Sequence, residues 1–492
     1  MNTVRSLLLG TAAGLAMAAA AQAADMPVKA KPVQYVKICT LYGDGFYYIP
    51  GTDICLKIGG YIRAEYAYNY GANLTNGPFA SPNGYQTRTN GQDWTMRSRA
   101  YAWFDSRQQT EYGTLRTYFQ VGVNYDSPTT TSTSFNANRA FIQFSGFTIG
   151  TAQSFYEIYS GAAVSYYGQP GADTGDGGWK VLAYTSQWGN GVSSTVSIEE
   201  PRNAGVINTD FGNIFTLNNA GAALATPDRA GTRFPDLVSN FRVDQAWGSA
   251  QVMFAAHDAS GGYYGTTLTG SEVNGHPADK LGWAVGAGAK LNTFGGSYFQ
   301  FQVNYTQGAV RYANVTPAGA FAPVEFSGSN LGYGFFSDGV YSLATGDVQL
   351  TTMFGINAAY DHFWRPDLRT SIYGYYDTIR YNATANTAIC STQTGAANPA
   401  GTISFTAPGA SGPGGCNSNW SWWAVGSRTQ YNFTPYFYVG FDVFYQKLHS
   451  ASEGAIVRYT AATGTAKPTG LYTISDQDNI GFKIRFQRDI VP

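Results

Sequence analysis

The sequence predicts an all-β protein, a 16-stranded antiparallel transmembrane β-barrel with an inward-folded constriction loop, and three observations carry that expectation. From about residue 56 onward, stretches of 9 to 15 residues alternate apolar with polar or small side chains. Successive side chains of a strand point to opposite faces, so each stretch places one face in oil and the other in water. The connectors between stretches are alternately short and long, as in a barrel with tight turns on one side of a membrane and large loops on the other. Aromatic residues reach 15% and charged residues only 12%, where an average chain carries about 25% charged.

Composition removes the rival classes. The chain has 492 residues with Gly 59, Tyr 36 and Phe 30, which is neither disordered nor coiled-coil usage. Lys plus Arg (30) against Asp plus Glu (31) leaves a net charge of -1, so no global field draws it to nucleic acid, and any electrostatic function must be local. Mean hydropathy is -0.20, and after the first two dozen residues no apolar run approaches the ~18 a spanning helix needs. A membrane barrel escapes that criterion, because only every second residue of its strands meets lipid.

Residues 1–23 read as an export signal: Arg5, an apolar run from Leu7 to Ala20, then Ala21-Gln22-Ala23 with cleavage after Ala23. Export leads to an oxidising compartment. Four cysteines permit three connectivities, of which pairing of sequence neighbours is expected: Cys39 with Cys55, and Cys390 with Cys416. A metal site lacks CxxC spacing and clustered histidines, so no metal is expected. The organisation is then signal peptide 1–23, a disulfide-pinned segment 24–55 and a barrel over 56–492.

The first strand is 56–70, with Leu56, Ile58, Ile62, Ala64, Tyr66 and Tyr68 outward and Lys57, Tyr61, Arg63 and Glu65 inward. Further strands are expected at 92–107, 110–125, 138–145, 147–154, 179–189, 192–200, 235–246, 247–258, 279–292, 296–309, 349–362, 367–381, 419–432, 435–447 and 479–488. The clearest alternations are 280–290, 297–305 and 479–488, where Leu281, Trp283 and Val285, then Phe299, Phe301 and Val303, then Ile480, Phe482 and Ile484 face outward. Tyr68, Tyr70, Trp103, Tyr125, Tyr360, Trp364, Tyr436 and Tyr438 fall at strand ends, where aromatic girdles meet the two membrane interfaces.

At ~16 strands side chains no longer fill a barrel, and water does. Inward parity gathers Lys57, Arg63, Arg97, Arg99, Arg116, Arg139, Lys483 and Arg485 on one arc of wall, since the last strand must pair with the first. Glu65 is the acid on that arc, with Asp105 near a strand end. The connector 155–178 carries Glu157, Asp173 and Asp176 with no base, and follows a short strand that lets it fold below the rim. Opposed acids and bases across a narrow waist would create a transverse field that sets ion preference. The plainer readings are structural pairing of each arginine with Glu65 or Asp105, and an exposed loop solubilised by its acids.

Two segments carry a family resemblance: CTLYGDGFYYIPGTDICLKIGGYIRAE over 39–65 and FDSRQQTEYGTLRTY over 104–118. They resemble the general porins of alphaproteobacterial outer membranes, and the likeness extends over nearly the whole mature chain. The resemblance implies homotrimers of sixteen-stranded barrels in outer-membrane lipid and lipopolysaccharide, an inward third loop and passive diffusion of small hydrophilic solutes and ions. By it, the third loop maps onto 155–178 and the cationic wall onto Arg97, Arg99, Arg116 and Arg139. The chain departs from the common aromatic C-terminus by ending RFQRDIVP, with Phe486 its last aromatic.

Competing readings are weaker. A barrel hydrolase needs a Ser/His or Asp/His constellation, but His257, His276, His362 and His449 are dispersed and no GxSxG accompanies them. No enzyme and no cofactor are expected; a loop calcium on Asp173 and Asp176 has little support. A solute-specific, sugar-type channel would use an aromatic slide, for which Tyr61, Tyr101, Trp103, Tyr112 and Tyr118 are available, although girdle or packing roles are favoured. A surface receptor would use the long loops.

Overall fold

In the computed structural model the described residues are 37–68, 94–127, 133–158, 161–167, 171, 173–211, 216–217, 223–224, 228–265, 271–315, 321–322, 324–392, 403–405, 415–460 and 468–490. The expected export signal 1–23, Tyr70 and the connector 71–91 lie outside them.

Sixteen antiparallel strands close into a barrel. We number them β1 Cys55–Tyr68, β2 Trp94–Thr110, β3 Gly113–Ser127, β4 Thr133–Phe144, β5 Phe147–Ala152, β6 Trp179–Gly189, β7 Val192–Glu199, β8 Asp236–Gln245, β9 Gly248–Asp258, β10 Leu281–Asn292, β11 Tyr298–Gln307, β12 Thr352–Arg365, β13 Leu368–Arg380, β14 Trp420–Thr434, β15 Phe437–His449 and β16 Gln477–Ile490. β16 closes onto β1 from Ile490↔Gly60 to Phe482↔Tyr68. All sixteen expected strands are present. The largest boundary difference is at β4, which starts five residues early because its N-terminal part pairs with β3 beyond a bulge at Phe119.

Outward faces are apolar, with Ile62, Val123, Ile149, Val196, Phe254, Val285, Ile372 and Ile480 exposed, as acyl chains require. Trp188, Trp247, Phe294, Trp364 and Phe433 ring the short-turn end. Trp103 and Tyr438 do not join the girdles. Both point inward, because each pairs across strands with an inward residue, Trp103 with Gly59 and Tyr438 with Gln487. In Gly59 a Cβ would meet the Trp103 ring at 2.1 Å, so only glycine lets that indole lie flat against the wall.

Cys39–Cys55 and Cys390–Cys416 are the disulfides. The first closes a hairpin at the short-turn mouth, where Phe46, Tyr42 and Tyr48 pack around it. Lys57 anchors the hairpin by donating to the Asp44 carbonyl at 2.9 Å. Replacing both Cys39 and Cys55 by serine should cost this segment about 3 kcal/mol, the value for a loop of this length. Denaturant titration of the detergent-folded barrel with and without reductant checks it: reductant should lower the midpoint of the natural protein by more than that of the double variant, which keeps only Cys390–Cys416.

The long connectors are not all loose. Residues 382–418, read as a loop, contain α1 Ala383–Thr392, capped by Asn382 accepting from the Ala385 amide at 2.8 Å and tied through Cys390 to Cys416. Parts of 201–234 and 310–348, also read as external, turn into the barrel: Arg202, Asn208, Phe335, Phe336 and Asp338 are buried.

Candidate functional site

The lumen is filled on one side. Most inward side chains of β9–β16 are buried away from the strand ends, among them Gln251, Gln300, Asn304, Asp361, Tyr373, Arg428, Asp442 and Gln446. Inward side chains of β1–β4 stay partly open: Tyr61, Arg63, Arg99, Arg116, Tyr118, Gln120 and Arg139 are half-buried. The water-accessible space is therefore eccentric: it lies along the β1–β4 wall, with a further cavity of about 400 Å³ between β4 and β9 lined by Arg139, Gln143, Thr185, Thr195, Asn240 and Arg242.

Two bodies fill the other side. The first is the connector after β5. That strand has six residues, so the chain leaves the wall at mid-height and must turn inward. Its tip at 161–167 crosses to β12–β16. There Asp442 accepts from the Tyr166 amide, Ser165 Oγ at 3.1 Å and Tyr373 OH at 2.6 Å. Tyr166 OH donates to Gln430 at 2.8 Å and Tyr167 OH to Gln446 at 2.6 Å. Arg428 donates to the Ala163 carbonyl at 2.8 Å, and Ser371 to that of Val164.

The second body is built from the outer connectors and locked by buried acids. Asp338 accepts from the amides of Ala204 at 2.8 Å and Val310 at 3.0 Å, joining two connectors. His257 of β9 contacts it at 3.4 Å and bonds Asp236 of β8 at 2.7 Å. Asp236 also accepts from Tyr312 OH at 2.7 Å and the Arg202 amide at 3.0 Å.

The loop acids whose side chains are described, Glu157 and Asp173, take partners other than the open arginines Arg63 and Arg99. Glu157 is buried and pairs with Arg202 at 2.9 Å, on the opposite side of the lumen. Burial pushes its carboxyl up to about 8 against the pull of Arg202, with Asp173 adding to the rise. Asp173 accepts from the Gly161 amide at 2.6 Å and the Gly175 amide at 2.8 Å, bracing the loop internally. The Asp176 side chain lies outside the described residues. Glu157 and Asp173 are consumed because a loop that leaves the sheet needs polar anchors to hold its backbone in a dry interior.

The arc itself divides into bound and open members. Lys483 donates to the Tyr166 carbonyl at 2.8 Å, and Arg485 pairs with Glu65 at 2.6 Å beneath the Tyr166 ring, so the docked loop covers both. Arg97 holds Asp126 through two bonds of 2.7 Å, an acid that sequence parity missed because β3 runs two residues further than expected. Arg116 and Arg107 share Asp105. Arg139 donates to the Gly175 carbonyl at 2.9 Å. Arg63 and Arg99 instead bond neutral amides through Nε: Gln487 and Asn124, each at 2.7 Å.

Of the aromatic candidates, Tyr61, Tyr101, Trp103 and Tyr118 line this same wall, while Tyr112 sits on the outer face at the β2–β3 turn against Phe144. His449 pairs with Asp476 at 2.7 Å, and His362 lies 3.4 Å from Ser297 Oγ.

Comparison with known proteins agrees with this architecture. The family described as "Porin subfamily" matches residues 25–481. The chain is 32% identical over 218 residues to Porin Omp2a of Brucella ovis, covering 40% of this chain and 59% of that relative. It is 30% identical over 257 residues to Porin Omp2b of Brucella suis biovar 1, covering 50% of this chain and 64% of that relative. The chain thus spans less than two thirds of the length of these relatives. Among solved structures, the outer membrane channel DcaP of Acinetobacter baumannii shares the fold, with a TM-score of 0.53 at 11% identity over 90% of this chain and 99% of that one. A closed sixteen-stranded barrel with an inward loop, matched by the family over nearly its whole length, places this chain in the outer membrane as a member of the porin subfamily.

Proposed function

We propose that the protein is a passive diffusion channel for small hydrophilic solutes and ions, with its water path along the β1–β4 wall and a preference for anions. The observation that carries this is the pair Arg63 and Arg99, half-buried on the open wall with neutral amide partners. In a narrow aqueous space beside low-dielectric protein such charges are weakly screened and raise the local anion concentration. The constriction field comes from this one wall, since Glu157 is spent on Arg202. The other members of the basic wall, Lys57, Arg97, Arg116, Arg139, Lys483 and Arg485, fix the wall's shape and the loop's seat.

Export through residues 1–23, read from Arg5, the apolar run and Ala21-Gln22-Ala23, completes the reading, with assembly as a homotrimer and contact with lipopolysaccharide resting on the resemblance to porins. It includes no catalytic role. Reconstitution into a planar bilayer is the test. Openings should come in threes, and a salt gradient should give a reversal potential of anion-selective sign. Arg63→Gln with Arg99→Gln should move that potential toward zero while openings persist. A cation-selective natural channel would overturn the preference, and a membrane that stays silent with folded protein would overturn the channel.

A further inference from the structure

The open wall carries more than charge. Register places Arg63 directly across from Arg99 and Tyr61 directly across from Tyr101, on one inward face of β1 and β2. Like charges directly opposed on a sheet are destabilising. Neither arginine has an acid within ion-pair distance among the described residues; Glu65, two residues from Arg63 and within reach of its field, is bonded by Arg485. The two tyrosine rings lie nearly parallel, 7° apart with centroids at 5.4 Å. The Arg63 guanidinium stands 4.6 Å from the Tyr61 centroid and that of Arg99 5.1 Å from the Tyr101 centroid. Gly122 makes room for this arrangement: a Cβ there would meet the Tyr101 ring at 2.5 Å.

Resting on the channel reading, we propose that Arg63, Arg99, Tyr61 and Tyr101 form a binding site in the water path for aromatic carboxylates. Two guanidiniums side by side present N–H donors to one carboxylate, whose negative charge removes their mutual repulsion. The flat apolar body of the same solute then lies against the half-buried Tyr61 ring, which is backed by the buried, stacked Tyr101, where a ring and cations without an acid hydrogen-bond partner adjoin on the described open wall. A simple carboxylate takes only the charge, and a neutral sugar only the rings. Aromatic carboxylates take both, so they should dwell where other anions pass.

The test compares benzoate, acetate and maltose on single channels in a bilayer. Benzoate should interrupt the chloride current saturably, and acetate and maltose should not do so at the same concentration. Tyr61→Leu with Tyr101→Leu should weaken benzoate block roughly ten-fold, the scale of lost ring stacking, while leaving the reversal potential in chloride unchanged. Tyr61→Phe with Tyr101→Phe should retain the block. Arg63→Gln with Arg99→Gln should abolish it together with the anion preference. Block that is equal for acetate, or that survives the leucine pair, overturns the site. Calorimetric titration of benzoate into the detergent-folded barrel reads the same four residues without conduction. Binding there by a barrel that does not conduct would overturn the channel reading and keep the site, and heats unaltered by the arginine pair would overturn the site.

Discussion

Replacing Asp442 with alanine is expected to free the tip of the lumen loop and raise single-channel conductance several-fold, with frequent switching between levels. The Asp442 carboxylate receives Ser165 Oγ, the Tyr166 amide and Tyr373 OH, all buried. Removing it orphans three donors, each costing about 1–3 kcal/mol when left dry. The remaining anchors are Tyr166 with Gln430 and Tyr167 with Gln446, neutral bonds of about 1 kcal/mol net each, together with the backbone carbonyls of Ala163, Val164 and Tyr166 held by Arg428, Ser371 and Lys483. Loss is then comparable to what stays, so undocked conformations of the tip become populated beside the docked one. Asp442→Asn retains one acceptor oxygen and should restore part of the natural level. Deleting 155–178 outright should give the largest conductance and the weakest selectivity. Single-channel records in a bilayer check all three, and a deletion variant of unchanged conductance would show that the loop does not narrow the path.

Asp338→Ala should unseat the second body. Its side chain is the shared acceptor for Ala204 of one connector and Val310 of another, and its backbone bonds Gly205 and Thr351. Two buried amides would lose their partner, about 2–6 kcal/mol together, and His257 would lose one of its two acidic neighbours. That is comparable to the whole stability margin of many domains. The sixteen-stranded wall should survive, because its ladder does not involve Asp338. Limited proteolysis should then cut within 309–348 of the variant and spare the natural protein, and conductance should rise. A variant as protease-resistant as the parent would show that the connector is held elsewhere.

Strands and faces were legible because lipid on one side and water on the other impose a two-residue rhythm that sequence displays directly. β10, β11 and β16 show it in full, and even β5 could be placed. The lumen contents were less legible. Burial of Glu157 and Asp173 depends on Arg202 and on backbone amides that come from distant connectors, and no periodicity announces such partners. Trp103 and Tyr438 misled because aromatics at strand ends suit a girdle, whereas parity, followed strictly, puts both inside. The run LGYGFFSDGVY at 331–341 held a usable signal: its consecutive aromatics suit burial better than an external loop, and Phe335, Phe336 and Tyr341 are indeed fully covered.

The eccentric water path is tested most directly by thiol accessibility. The four natural cysteines are engaged in two disulfides, so a single introduced cysteine reports its own position. Gln120→Cys lies on the open β3 wall and Gln302→Cys on the filled β11 wall. A membrane-impermeant thiosulfonate added to conducting channels should cut the current rapidly at position 120 and leave position 302 unreacted. Equal rates at the two positions would mean that water fills the barrel symmetrically, contradicting an open β1–β4 wall.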